Sequence, residues 1–127
     1  MSNPTSQSLI EQINLLEKKE ISSLELTQLY LTNIEKNKDL NCFISLNDKA
    51  LEEAKKIDKL KERKSLLQGI PLAHKDIFCA EGYKTTCGSK MLENFISPYS
   101  STVFDKLKKS NSIMVGKTNM DEFAMGS

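Results

Sequence analysis

One lysine stands out for the chemistry it could do. In GIPLAHKDIF the polar triplet His74, Lys75 and Asp76 is flanked by Leu72 and Ala73 on one side and Ile77 and Phe78 on the other. Burying an ammonium costs on the order of several kcal/mol unless it is paired or gives up its proton. Two readings are therefore open for Lys75. In the first it forms a salt bridge to Asp76 or another acid, and the triplet marks the exit of a strand to solvent. In the second it is a desolvated, neutral lysine serving as a general base, which requires burial to lower its pKa. The apolar flanks predict that its side chain is buried.

Other candidate groups carry less. His74 has no cysteine or serine partner at a spacing typical of a nucleophile relay and reads as an ordinary core or surface histidine. The GKT string, Gly116 to Thr118, resembles the end of a phosphate-binding loop. Asn111 stands where that loop needs its first glycine, and the intervening SIMV is apolar and β-prone, so no nucleotide site is expected. Asp121 and Glu122 are paired acids near a predicted helix start, where a capping role is expected. Cys42, Cys79 and Cys87 form no C-x-x-C pair, and His74 is the single histidine. These are too few ligands for a structural zinc site, and a reduced, cytoplasmic protein without metal is expected.

The elements that must position these groups can be read from local patterns. Ser8 with Glu11 and Ser22 with Glu25 fit the S-x-x-E capping box at a helix start. Leu9, Ile10, Ile13 and Leu16 follow the first at helical spacing, and Leu26, Leu29, Tyr30 and Ile34 follow the second. NCFISL, Asn41 to Leu46, is β-prone but only weakly alternating. A third helix is predicted from about Asp48, with Ala50, Leu51, Ala54, Ile57 and Leu60 on one face and a solvated, charged face opposite. GIPLA then reads as a buried strand, Glu81-Gly82 as a turn and TTCGSK as a loop. Ser100, Ser101 and Thr102 offer N-caps for a helix carrying Val103, Phe104 and Leu107, after which SIMVG makes a second buried strand.

Strand, crossover helix, strand predicts an α/β fold: N-terminal helices over about residues 6–64, then the start of a mixed sheet covered by helices over about 69–127. Two clear core strands make a thin sheet, and the chain ends FAMGS directly after an apolar stretch. A piece of one longer domain is expected.

Composition narrows the classes. The chain has 127 residues, 39% hydrophobic and 28% charged, with 18 Lys and Arg against 17 Asp and Glu for a net charge of +1. That balance argues against direct electrostatic capture of nucleic acid. No apolar run reaches membrane-spanning length, and MSNPTSQS lacks the pattern of a signal peptide.

GIPLAHKDIF, TTCGSKML and GKTNMDEFAMGS, in this order and spacing, resemble the amidase signature family, and the resemblance covers nearly the whole chain. GKTNMDEFAMGS is similar to one branch in particular, the glutaminase subunits of tRNA-dependent amidotransferases. NCFISLNDKALEEAKKID resembles that branch's segment before the catalytic lysine, with Cys42 where alanine is usual. The family uses a triad of a lysine, a bridging serine held by a cis peptide bond, and a nucleophilic serine. Lys75 matches the lysine. Both serines lie in a glycine- and serine-rich stretch further along the family's chain, and Ser89, Ser100, Ser101 and Ser127 do not match them. Met125, Gly126 and Ser127 match a segment that borders the substrate pocket in relatives.

The resemblance implies a subunit that releases ammonia from glutamine for conversion of Glu-tRNA(Gln) to Gln-tRNA(Gln). It implies B and C partner subunits, with tRNA held mainly by the B subunit, which also uses ATP and magnesium, and no cofactor in this chain. By itself the 127-residue chain is expected to be inactive. Two alternatives stand beside this reading: a stand-alone amidase of small amides, and a non-catalytic binding module.

Overall fold

Two serines set the helical start of the chain. The computed structural model describes residues 3–126. Helix α1 (Leu9–Glu17) begins at Ser8, whose hydroxyl accepts from the Glu11 amide while the Glu11 carboxylate accepts from the Ser8 amide at 2.8 Å. Ser22 and Glu25 repeat the arrangement at the start of α2 (Ser23–Lys36). Both ends gain partners for amides that no helical carbonyl can serve. Helix α3 (Ala50–Asp58) buries Ala50 and Ala54 as anticipated. It ends before Leu60, which is exposed rather than part of the apolar face.

Among the described residues the sheet has three strands, not two. Strand β3 (Ile113–Thr118) is central, β2 (Pro71–Lys75) runs parallel to it on one side, and the weakly alternating β1 (Phe43–Leu46) pairs antiparallel on the other. Between β2 and β3 the chain crosses over through α4 (Thr102–Lys109), capped by Ser101, whose hydroxyl accepts from the Phe104 amide. Ser100, a second candidate cap, instead accepts from the Glu81 amide at 3.0 Å. Gly116 lets β1 approach, since a Cβ there would lie 2.6 Å from the Ser45 carbonyl oxygen.

Successive strand residues face opposite sides, and the core divides accordingly. Ile113 packs with Ala50 and Ala54 of α3, joined by Leu24 and Leu31 of α2. Met114 packs with Phe104 of α4, Ala80 and Tyr83. Helices thus cover both faces of a mixed sheet, the α/β arrangement expected. The β2–β3 register skips Val115, which brings His74 level with Lys117 and Lys75 level with Thr118.

Candidate active site

Lys75 is the last residue of β2, and its side chain is half exposed, not buried. The apolar neighbours misled because alternation decides which side chain points inward. His74 turns toward α4, where its ring meets Phe104 edge-on with centroids 5.5 Å apart, and Lys75 takes the other face. The Lys75 Nζ lies 3.9 Å from Asp121 Oδ1, the outer limit of an ion pair. Asp76, its chain neighbour, pairs elsewhere.

That pairing is the buried ion pair among the described residues. Lys117 and Asp76 are 1% and 0% exposed, with Nζ donating to Oδ1 at 2.9 Å. Nζ also donates to the Phe78 carbonyl at 2.9 Å and lies within reach of Thr85 Oγ1 and the Lys84 carbonyl. The other Asp76 oxygen accepts from the amide and hydroxyl of Thr86. Both charges are therefore fully partnered, which burial demands. Burial chiefly, and the Lys117 charge secondarily, hold the His74 pKa below its ordinary value.

Lys117 belongs to the GKT string, which lies in β3 and not in a loop. Weighing that string only for phosphate binding passes over its lysine. A signal existed: a lysine continuing an apolar strand needs a buried acid, and GIPLAHKDIF holds one.

The segment after β3 is folded back onto the TTCGSK loop. The Phe123 amide donates to the Cys87 carbonyl at 2.9 Å, and Ser89 Oγ donates to Glu122 Oε1 at 2.6 Å. Gly88 has φ +68, and a Cβ there would lie 2.6 Å from the Met120 carbonyl oxygen, so the two segments meet backbone to backbone. Asp121 and Glu122 do not act as expected. Neither side chain caps the short 3-10 turn Glu122–Ala124. Glu122 holds Ser89, while Asp121 Oδ2 accepts from the Gly126 amide at 2.9 Å. Lys75 and Gly126 are thereby brought to the two oxygens of one carboxylate. Met125 is strongly exposed, and Ser127 lies outside the described residues.

Ser89 donates to Glu122, and Ser100 and Ser101 accept from the amides of Glu81 and Phe104. The cysteines are free, and burial, followed by the charge of Asp76, raises the Cys87 thiol pKa. Among the described residues no cluster of three or more His, Cys, Asp or Glu side chains could hold a metal ion. No described helix is long and apolar enough to cross a membrane.

A mixed sheet covered by helices on both faces defines an α/β fold, and comparison with known proteins gives its family. The family model described as Amidase matches residues 25–127, and the chain belongs to the amidase family. Over 125 residues it is 54% identical to the A subunit of the glutamyl-tRNA(Gln) amidotransferase of Nitrosococcus oceani, covering 95% of this chain and 26% of that protein. The corresponding A subunit of Nitrosomonas europaea is 53% identical over 117 residues, 89% of this chain and 24% of the relative. The chain thus spans about a quarter of the length of the curated relatives it matches. Among solved structures, the glutamyl-tRNA(Gln) amidotransferase A subunit of Thermotoga maritima aligns with TM-score 0.77 and 33% identity, over all of this chain and 26% of that one. The peptide amidase of Stenotrophomonas maltophilia aligns with TM-score 0.86 and 29% identity, over 92% of this chain and 25% of that one.

Proposed function

We propose that this chain is the N-terminal part of the glutaminase subunit of a cytoplasmic tRNA-dependent amidotransferase, with Lys75 as its general base. One observation carries the choice of branch: amidotransferase A subunits match at 53–54% identity over 89–95% of this chain. In this reading the rest of the subunit supplies a bridging serine, a nucleophilic serine and cover over the exposed face of Lys75.

The steps balance simply. Lys75 accepts a proton from the bridging serine, which takes one from the nucleophile. The serine oxygen bonds to the carboxamide carbon of glutamine, and backbone amides hold the oxyanion. The carbon–nitrogen bond breaks, and the returned proton leaves with ammonia. Water then cleaves the acyl ester to release glutamate. Ammonia passes to the B subunit, which activates Glu-tRNA(Gln) with ATP and magnesium, with the C subunit completing the complex. Met125 and Gly126 would border the glutamine pocket in this reading.

The stand-alone amidase reading draws on the higher TM-score to the peptide amidase, 0.86 against 0.77. Purifying the full-length protein with its B and C partners discriminates the two, and a protein isolated alone that hydrolyses small amides favours the alternative. For Lys75 the test is a pair of substitutions in the assembled enzyme. Lys75→Ala and Lys75→Arg should each lower glutamine-dependent turnover by about a thousandfold or more, because triad groups act as a unit and arginine stays protonated. Amidation supplied with free ammonia should survive both. A Lys75→Arg enzyme that still uses glutamine would end the assignment.

A further inference from the structure

We infer that Lys117 is a positioning residue for Lys75, acting through Asp76 to hold the TTCGSK loop and the residue 119–126 segment at the end of β2. This rests on Lys75 being the base. The connections run without a gap. Lys117 Nζ binds Asp76 Oδ1 and, by its other protons, the Phe78 carbonyl and the start of the loop at Lys84 and Thr85. Asp76 Oδ2 takes the Thr86 amide and hydroxyl, and the Asp76 carbonyl takes the Cys87 amide at 3.1 Å. Thr86 Oγ1 accepts from the Gly88 amide. Cys87, Gly88 and Ser89 then seat Phe123, Met120 and Glu122 in turn. At the far end of this chain of contacts stands Asp121, across from Lys75 at 3.9 Å.

The ion pair is more than local cohesion for a geometric reason. Asp76 follows Lys75 directly, and its amide donates to the Thr118 carbonyl at 3.2 Å, extending the β2–β3 ladder one residue beyond the strand. Fixing its carboxylate fixes the backbone that aims the Lys75 side chain. The same carboxylate fixes the loop on which residues 119–126 rest. One buried ammonium therefore sets both the base and the wall opposite it.

The test separates position from stability. Removing one partner of a buried pair strands a charge, whereas neutralising both leaves none. Lys117→Met in the full-length assembled enzyme should lower the melting temperature by about 10 °C. It should also cut glutamine-dependent turnover at least a hundredfold. Asp76→Asn combined with Lys117→Met keeps an oxygen for Thr86 and strands no charge, so it should recover most of the melting temperature. Its glutamine kcat should nevertheless stay at least tenfold down, with amidation from free ammonia unchanged. Recovery of kcat together with the melting temperature would overturn the inference.

Should the double variant not fold, Thr86→Val decides. It keeps the ion pair but loses the hydroxyl link to Asp76 and Gly88, so about tenfold lower glutamine kcat is expected, and unchanged kcat refutes the role. Lys75→Arg measured alongside tells the two readings apart. If it stays active the base assignment fails; if it is dead while the double variant is fully active, only the positioning role fails.

Discussion

His74 is the chain's one histidine, buried on the face of β2 where it meets Phe104 of α4. Its pKa is lowered from the ordinary 6.5, first by burial and then by the ammonium of Lys117. The unfolded chain therefore binds a proton at a pH where the folded chain does not. Stability from this site is complete above the unfolded value and is lost as pH falls from there through the depressed folded value. Phenylalanine at this position would keep an aromatic edge for Phe104 and remove the titration. In the full-length protein, the fall in melting temperature between about pH 7.5 and pH 5.5 should be shallower for His74→Phe than for the unsubstituted protein. Parallel curves would show that protonation of His74 has no part in acid sensitivity.

At the scale of elements, the joint between α2 and α3 is a cap borrowed across the chain. Asp58, the last residue of α3, accepts from the Ser23 amide at 2.8 Å and the Leu24 amide at 2.9 Å. These are among the first amides of α2, which lack helical acceptors, and a carboxylate there also meets the favourable end of the helix dipole. Asp58→Ala should cost about 1–2 kcal/mol of local stability. Hydrogen exchange at Ser23 and Leu24 should then run about tenfold faster, with Asp58→Asn in between. Unchanged exchange at both amides would mean that the neighbouring capping box alone holds the helix end.

The contrast between such contacts explains what could be read in advance. Ser8 with Glu11 and Ser22 with Glu25 lie three residues apart, so a local rule finds them. Asp58 and Ser23 are 35 residues apart, and Lys117 and Asp76 are 41 apart. Only the strand register and helix packing bring these partners together. The motif singles out Lys75 as a candidate, but the expected burial of its side chain does not hold. Whether it or His74 points inward depends on which face α4 covers, a fact absent from the decapeptide around it.

For the whole molecule the question is how well this chain can stand by itself. Among the described residues nine apolar side chains are buried, and six of them form two clusters of three on opposite faces of the sheet, each built around one residue of β3. Against this, Ile10, Leu40, Leu66, Met91, Tyr99 and Met125 are largely exposed. Among the described residues, β1 and β2 each pair only with β3, so both outer edges carry unpaired backbone groups. Open edges beside uncovered apolar surface recruit other chains, and small cores leave little stability to oppose that. The purified 127-residue chain should therefore self-associate with rising concentration, bind a hydrophobic dye and melt broadly. If Lys75 is the base of the proposed triad, the chain should also release no ammonia from glutamine above a control without protein, because a base without the two serines of that reading generates no nucleophile. Sedimentation showing a single monomer, together with one sharp melting transition, would contradict the packing argument. Ammonia release by that monomer would contradict the requirement for the serines, so each claim is exposed to its own measurement.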